Sequence, residues 1–472
     1  MALQVPAQQS ANLFKEGYKH FVGIEEAVIR NINAINELVQ ILSTSYGPNG
    51  RNKLIVNHLL KHFVTSDAST ILREIEVNHP AAKLIMDCAS AQQQETGDLT
   101  NYVCILAAQS LNYCIKLLQW GIAPSVLSEA FVMVKDEALK ALDAAVIGEA
   151  VWPNSPLVAD AIRTAISAKQ SGLEDLLTAL VLEAITIVQP KQQSEFDVDR
   201  VRVVKILGGS IYESTVISGM VFHREPEGNV KNVQNAKVAI FTCPLDIASP
   251  ETKGTVLINS ADELANYSKL EEQKLLAELT QLKDVGVNVI VTGGSLNELA
   301  THFCDRLEIA IVRCPSKFEL RRLCRVVNAV AMTRIGAPTK EELGHADIFE
   351  TIEIGSDRCT VFRQTTSTTK TATVLLRGGT QPFLDDVERG IEDGVMIFKA
   401  LTKDARVVAG AGACECFIAK SLRKVKVKYP GLETKAFDVV ADAFEAIPRI
   451  IAENSGFDVI LINVGTEIRR KH

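Results

Sequence analysis

The sequence predicts a multi-domain protein in which α/β parts are nested inside an α-helical base. Apolar residues recur at spacings of three and four, as in amphipathic helices, over about the first 140 residues and again after residue 383 of the 472-residue chain. Between these parts, short β-branched runs alternate with helical segments, as in α/β domains. The order of helical, mixed, α/β, mixed and helical stretches predicts one domain inserted into a second, which is itself inserted into the helical base.

The first helical part begins with one long amphipathic helix, which ends at Tyr46-Gly47-Pro48. Its apolar stripe consists of Ile24, Val28, Ile32, Ile35, Val39 and Leu42. Residues 53–57 and 61–65 are predicted to form the two strands of a hairpin. Pro80 suits the first turn of a following helix, and Thr100 suits the N-cap of another long helix.

The central part is predicted to be an α/β domain with a largely parallel sheet. Strand-like runs at 238–241, 287–291 and 309–312 alternate with helical segments at 261–283, 296–307 and 317–328. Another strand-like run, at 373–376, lies in the second mixed stretch.

Composition and charge narrow the classes of function. Hydrophobic residues make up 47% of the chain and the net charge is −7, which predicts folded domains and argues against binding to nucleic acid. The ten cysteines include no Cys-x-x-Cys pair, and His58, His62 and His79 lack metal-binding spacing. The sequence begins without a signal peptide and has no membrane-length apolar run, so we expect a cytoplasmic protein without membrane contact.

Three short loops, far apart in the chain, are predicted to form the walls of one split nucleotide site. They are residues 45–50, 97–101 and 410–413, with the sequences Ser-Tyr-Gly-Pro-Asn-Gly, Gly-Asp-Leu-Thr-Asn and Gly-Ala-Gly-Ala. The first two each join a helix to another element, so backbone N–H groups at a helix start can face a phosphate. One such loop alone is usually only a turn, and the combination in this order is more specific.

Two acids stand where a nucleotide site needs a metal ligand and a group beside the attacking water. Asp98 lies in the second loop, and Asp67 ends the sequence Val-Thr-Ser-Asp. On spacing alone, each is more often a turn or helix-cap residue, and that alternative stays open at this point.

Longer motifs resemble the group II chaperonins. The motifs that begin at residues 45, 79 and 97 are similar to the first half of that family's base domain, and Gly219-Met220-Val221-Phe222 is similar to the start of its apical segment. Residues 242–246, 251–257, 320–324 and 374–379 resemble one subunit type of the eukaryotic cytosolic chaperonin (TRiC) in particular.

The resemblance implies the nested chaperonin architecture, with a helical equatorial domain, a small intermediate domain and an α/β apical domain. The implied ranges are 1–140 and 393–472 for the equatorial domain, 141–207 and 356–392 for the intermediate domain, and 208–355 for the substrate-binding apical domain. The second equatorial half is expected to be truncated, because the similarity fades after Gly456 and residues 460–472 do not follow the family pattern.

The same resemblance implies roles for individual residues. Nucleotide contacts are implied for Ser45, Tyr46, Gly47, Pro48, Gly97, Leu99, Thr100, Asn101, Tyr102, Ser167, Ala168, Lys169, Gly410, Ala411 and Gly412. Asp98 would bind Mg²⁺, Asp67 and Asp393 would serve hydrolysis, and Lys169 would sense the γ-phosphate. Domain closure would bring Asp393 to the site. Without the family, Asp393 would be a solvated helix carboxylate and Lys169 a surface lysine.

The implied function is that of an ATP-dependent chaperonin subunit, with ATP and Mg²⁺ as ligands. It would act on unfolded client proteins in a hetero-oligomeric double ring with other chaperonin subunits. Residues 317–325 resemble the family's client-facing helix, with Leu320 and Leu323 packed inward. The implied client contacts are Phe318, Arg321, Arg322 and Arg325. An ordinary solvated helix face is the alternative.

Two departures from the family pattern keep other functions open. Leu99 stands where the family has a glycine that lets the backbone approach phosphate, and Phe417 stands where it usually has a glutamate. Leu99 and the expected short C-terminus favour a degenerate paralogue with weak or no ATPase activity that acts as a structural or partner-binding protein, whereas the three acids favour an ATPase. A signalling protein with only a chaperonin-like apical module is a third class, and the loops at both ends of the chain oppose it.

Overall fold

The computed structural model describes residues 24–57, 60–153, 155–188, 196–246, 261–364 and 371–457. The chain forms two compact units, one made of residues 1–150 and 406–472 and the other of residues 151–405. His58, the motif at 251–257 and the atypical residues 460–472 lie outside the described residues. Among the described helices, none is both long enough and apolar enough to cross a membrane.

The α-helices are numbered in chain order. They are α1 (Ile24–Ser43), α2 (Ala68–Glu74), α3 (Pro80–Thr96), α4 (Thr100–Gln119), α5 (Pro124–Ala144), α6 (Leu157–Ser167), α7 (Glu174–Val188), α8 (Ala261–Val285), α9 (Glu298–Arg306), α10 (Lys317–Val327), α11 (Gln381–Lys403), α12 (Ala413–Val425) and α13 (Glu433–Asn454). The helices predicted from apolar spacing are therefore confirmed, with small shifts at their ends.

The strands are numbered in the same way. They are β1 (Lys53–Val56), β2 (His62–Thr65), β3 (Val146–Glu149), β4 (Val201–Leu207), β5 (Thr215–Phe222), β6 (Val233–Phe241), β7 (Val289–Thr292), β8 (Ala310–Arg313), β9 (Gly344–Ile354), β10 (Asp357–Arg363), β11 (Ala372–Gly378) and β12 (Arg406–Val408). The predicted hairpin is confirmed, because β1 and β2 pair antiparallel with Lys53 opposite Thr65.

Local sequence explains where the helices of the first unit begin and end. Pro80 occupies the first turn of α3, and the ring of His79 accepts a hydrogen bond from the Ala81 N–H at 3.3 Å. Gly97 ends α3 in the left-handed conformation, with φ at +80°. The prediction that Thr100 is the N-cap of α4 is wrong by one residue, because Leu99 occupies that position and makes no side-chain capping bond. The second predicted loop is therefore the short segment between the left-handed end of α3 and the start of α4.

One core of the first unit joins residues from both of its chain segments. Leu42 of α1, Ile71 of α2 and Ile105 of α4 pack in the same buried cluster as Ile447 of α13. Full burial of each such side chain contributes about 1.5–3 kcal/mol. The short antiparallel pair of β3 and β12 also joins the two segments, at the points where the chain leaves and re-enters this unit.

The second unit is built on one eight-stranded mixed sheet in the order β4-β11-β5-β10-β9-β6-β7-β8. Its buried faces include Val238, Val289 and Val312 on one side and Ala239, Ile290 and Ile311 on the other. Both faces of the central strands are covered, which explains their unbroken apolar sequences.

The prediction of a largely parallel sheet is wrong for most of this unit. Strands β6, β7 and β8 are parallel, and helices α8 and α9 connect them. Strands β5, β9 and β10 pair antiparallel with their neighbours and escaped the sequence analysis. For β9 and β10 the reason is the tight turn at Gly355, where φ is +67°, because a tight turn permits only antiparallel pairing. The antiparallel pairing of β5 and β9 with their other neighbours joins segments that are distant in sequence.

Strand β5 changes its pairing partner at Gly219. Residues before it pair with β11, and residues from Gly219 onward pair with β10. Gly219 has φ at +126°, and a Cβ there would lie 1.9 Å from the Phe362 carbonyl oxygen. The implied boundary at residue 393 falls within α11, which belongs to the second unit throughout, and the division into intermediate and apical domains stays a prediction.

We expect Gly219→Ala to destabilise the second unit by about 3–5 kcal/mol, because left-handed strain adds to a steric clash. Gly208→Ala is the matched control, because Gly208 has φ at +98° but no atom within 4 Å of an added Cβ. Its cost should be about 1–2 kcal/mol, from backbone strain alone. Urea unfolding of both variants tests this, and equal losses would mean that the clash is relieved by movement of β10.

Candidate functional site

The first loop turns tightly at the end of α1 and is held by α13. The Gly50 N–H donates to the Gly47 carbonyl at 3.0 Å, and Gly47 has φ at +89°. A Cβ at Gly50 would lie 2.2 Å from the Ser45 carbonyl oxygen, so this position requires glycine. The Asn454 side chain at the end of α13 donates to the Tyr46 carbonyl at 2.8 Å. The predicted residues Ser45, Tyr46, Gly47 and Pro48 thus lie in one rigid turn.

The second loop presents Asp98 at the start of α4. The Asp98 carboxylate accepts a hydrogen bond from the Leu99 N–H at 2.6 Å, and its carbonyl accepts from the Thr96 hydroxyl at 3.1 Å. Leu99 has φ at +65°, and its side chain is 51% exposed. Thr100 is buried, and the Asn101 amide donates to the Ser66 carbonyl at 3.4 Å. The bond from Asn101 connects this loop to the segment that carries Asp67.

Asp67 is a helix cap as well as a predicted catalytic residue. Its Oδ2 accepts hydrogen bonds from the Thr70 N–H at 3.1 Å and from the Thr70 hydroxyl at 2.8 Å. Asp67 is only 5% exposed. The capping alternative that spacing suggested is therefore confirmed, and it fixes the carboxylate in one orientation beside the second loop.

The third loop ends at Gly412, which is the N-cap of α12. Gly412 has φ at +85°, and a Cβ there would lie 2.5 Å from the Pro448 side chain in α13. Ala411 is also left-handed, with φ at +56°, while Gly410 is exposed and has open space around it. Close packing on α13 therefore explains the glycine at 412.

A side-chain cluster that the sequence analysis did not assign joins the three loops. Burial, then the negative charge of Glu415 in the first turn of α12, raise the pKa of Tyr102 well above its usual range. Burial, then the negative charges of Glu415 and Asp98, raise the pKa of Tyr46 well above its usual range. Burial also raises the pKa of Glu415, although Tyr102 opposes the shift. In the sequence, the one signal for Glu415 was its position as a carboxylate three residues after Gly412, the last glycine of the third loop.

The predicted loops therefore lie together in the first unit. Glu415 acts electrostatically on Tyr46 and Tyr102, which belong to the first loop and to the helix after the second loop. Within the described ranges, no three His, Cys, Asp or Glu side chains cluster as a metal site. This arrangement suits a Mg²⁺ ion that arrives with phosphates, because such an ion is bound by one or two carboxylates and keeps several waters.

Lys169 and Asp393 lie in the second unit and form a buried ion pair. Their side chains are 9% and 2% exposed, so neither is the solvated surface residue that spacing alone would suggest. Gln170 strengthens the same contact between α11 and the segment after α6, because its amide donates to Asp386 at 2.6 Å. Ser167 and Ala168 close α6 immediately before Lys169.

The predicted client-facing helix α10 has the expected orientation. Leu320 and Leu323 are buried, whereas Phe318 is 79% exposed. The sequence analysis missed the acidic residues that face this helix from the segment before β4. They are Asp199, 3.8 Å from Arg322, and Asp197, 3.5 Å from Arg325. Among the described residues, Arg321 has no such acidic partner.

We expect Lys169→Met to destabilise the second unit by about 3–5 kcal/mol, because it removes the ammonium partner of a buried carboxylate. The double variant Lys169→Met/Asp393→Asn removes both charges and should unfold at a higher urea concentration than Lys169→Met alone. Urea unfolding of the parent and the two variants checks this order. A double variant no more stable than the single one would mean that the loss comes from packing of the lysine stem.

The chain matches the TCP-1/cpn60 chaperonin family over residues 38–472, a range that runs beyond Gly456. It is 49% identical over 460 residues to the probable T-complex protein 1 subunit theta of Schizosaccharomyces pombe, which covers 97% of this chain and 84% of that protein. It is 45% identical to the T-complex protein 1 subunit theta of Saccharomyces cerevisiae over 471 residues and to that of Homo sapiens over 458 residues, with 97% of this chain and 83% of each protein covered.

These similarities confirm the resemblance read from the motifs, and theta is the subunit type that the motifs indicated. The similarities give no support to the alternative of a degenerate paralogue with weak or no ATPase activity. With a family match across most of its length and relatives at 43–49% identity, the chain belongs to the TCP-1/cpn60 chaperonin family.

Proposed function

We propose that this chain is a chaperonin subunit that binds and hydrolyses ATP and uses the cycle to fold unfolded client proteins. The observation that carries the proposal is the convergence of the three loops in one unit, with Asp98 at the start of α4. The similar proteins are named as subunits of T-complex protein 1, which supports assembly with other chaperonin subunits into a hetero-oligomeric double ring. A cytoplasmic location is part of the proposal and rests on the same resemblance.

In the proposed site, the chain's own groups bind and orient the nucleotide. N–H groups at the start of α4, at Thr100 and Asn101, would face the phosphates, where the helix dipole favours negative charge. Asp98 would hold Mg²⁺, which supplies charge neutralisation when it is bound with ATP. Asp67, fixed by Thr70, would orient the attacking water.

Asp393 and Lys169 are the proposed contributions of the second unit. Asp393 would be the second acid of hydrolysis, and the ammonium group of Lys169 holds that carboxylate in its ionised form. A lysine that pairs with a carboxylate can also pair with a phosphate, because both offer anionic oxygens. Lys169 is therefore the proposed γ-phosphate contact, with Asp393 as its partner before nucleotide arrives.

The proposed client surface is centred on Phe318 and Arg321. Phe318 is almost fully exposed on α10, and large exposed aromatic side chains are common anchors for protein partners. Arg322 and Arg325 are partly neutralised by Asp199 and Asp197. Their contribution to binding acidic client segments is therefore expected to be smaller than that of Arg321.

Sedimentation and nucleotide binding of the tagged full-length chain test the proposal together. We expect the protein isolated from cells to sediment as a particle many times the 51.4 kDa mass of the chain, and to bind ATP in the presence of Mg²⁺. Asp98→Asn should weaken the Mg²⁺-dependent part of that binding, since it removes the metal's carboxylate. A monomer that binds no ATP would instead support a structural or partner-binding role.

We expect Leu99→Gly to raise the hydrolysis rate of assembled particles, by up to about a hundredfold if the loop displaces the γ-phosphate by about 1 Å. A non-glycine residue at φ of +65° stores about 1–2 kcal/mol of strain, and its side chain occupies space beside the phosphates.

Leu99→Ala is the matched control, because it removes most of the side chain but keeps the Cβ and the strain. Asp393→Asn in the Leu99→Gly background should abolish the gain. If Leu99→Gly leaves both binding and turnover unchanged, this loop does not limit the reaction.

A further inference from the structure

One face of α10 forms ion pairs along its length with residues 197–202, the segment that leads into β4. Glu319, Arg322 and Arg325 follow one another at spacings of three residues, so they lie on the same face of the helix. Each is paired with a residue of opposite charge, and the order of the partners shows that the two segments run side by side in opposite directions. The partners, in the same order, are Arg202, Asp199 and Asp197.

The partner segment is fixed by contacts that do not involve α10. Phe196 is buried and packs edge-on against Phe398 of α11, with ring centroids 4.8 Å apart. Val201 begins β4, which pairs with β11. Between these two anchors, Asp197 Oδ1 accepts a hydrogen bond from the Asp199 N–H at 3.1 Å. The two carboxylates are therefore presented to α10 by a backbone that is held elsewhere in the second unit.

The two pairs that involve arginines of α10 are open to solvent. Arg322 and Arg325 are 39% and 50% exposed, at 3.8 Å and 3.5 Å from their partners. By contrast, Arg202, which pairs with Glu319, is only 18% exposed. Water and salt screen exposed pairs, so each adds little to stability. Arg322 and Arg325 can therefore exchange their partners for another carboxylate while the pair at Glu319 stays in place.

We propose that Asp197 and Asp199 are an internal competitor for acidic client segments on α10. A client carboxylate binds Arg322 or Arg325 by displacing one of these aspartates, and the backbone on both sides stays where it is. The inference rests on the client surface proposed above and deepens it, because it adds the chemistry of the partner. The fitting partner is an extended segment with acidic side chains two residues apart, which is the spacing of the internal competitor itself.

The competitor lowers what each additional acidic side chain of a client contributes. Arg321, which has no acidic partner in the described ranges, can bind a first carboxylate without displacing another. Arg325 lies one turn further along the same side of the helix, so a second carboxylate must displace Asp197. The affinity of α10 for acidic segments is therefore held down in the parent protein, and it rises when the internal carboxylates lose their charge.

The double variant Asp197→Asn/Asp199→Asn, made in the full-length chain, tests the proposal. Asparagine keeps an oxygen that can accept the N–H of residue 199, so the turn is retained while both charges are lost. The probe is a photoreactive peptide of alternating serine and aspartate, and the measurement is the peptide concentration that gives half-maximal cross-linking to residues 317–327. We expect the variant to need about a three- to tenfold lower concentration than the parent, the size of two exposed ion pairs.

Two further variants separate this effect from a general change in charge. Asp175→Asn/Glu353→Gln removes two other exposed carboxylates of the second unit, which pair with arginines at 2.9 Å and 3.9 Å. It changes the net charge by the same amount, and we expect the same cross-linking as in the parent. Adding Arg322→Gln/Arg325→Gln to the asparagine variant should abolish the gain, because it removes the groups that the aspartates release.

Three outcomes overturn the proposal while the peptide still cross-links to α10 of the parent protein. Unchanged cross-linking in the asparagine variant means that the two aspartates do not compete. An equal gain in Asp175→Asn/Glu353→Gln means that only net charge matters, and a gain that survives the loss of both arginines means that the aspartates mask another site. If neither the parent nor the asparagine variant cross-links through α10, the proposed client surface fails, and this inference fails with it.

Discussion

The packing of α13 against two separate segments of the chain is the constraint on which the nucleotide loops depend. Asn454 at its end holds the backbone of Tyr46, and Pro448 in its middle allows only a glycine at 412. Residues 151–405 lie between the two segments of this unit, so no local interaction could align the loops. The site exists because Ile447 and its neighbours bury one face of α13 in the core of the first unit.

Backbone conformation is the second constraint on the three loops. Gly47, Gly97 and Gly412 adopt left-handed conformations that cost glycine little. Leu99 adopts the same conformation with a side chain, and Asp98 accepts the Leu99 N–H at 2.6 Å. The loop thus has a left-handed turn between the end of α3 and the start of α4, and the backbone strain stays at Leu99.

Sequence predicted the helices, the β1–β2 hairpin and the loops of the first unit well, because helix periodicity and turn residues are local signals. It did not predict β3 and β12, which pair across the two chain segments of this unit. It failed on the antiparallel strands β5, β9 and β10, because strand direction depends on pairing between distant segments and on the turn at Gly355. It also missed Glu415, since a lone glutamate at a helix start resembles any first-turn acid that stabilises the helix dipole. Its significance comes only from Tyr46 and Tyr102, which are remote in sequence.

The three acids proposed for nucleotide chemistry are held by three different devices. Asp67 is a helix cap, Asp98 is bonded to the backbone of its own loop, and Asp393 is paired with Lys169. Each device favours the ionised carboxylate, because N–H donors and an ammonium group stabilise negative charge. Asp67 and Asp98 are therefore oriented by short-range hydrogen bonds within the first unit, whereas Asp393 depends on a side-chain partner from another segment of the second unit.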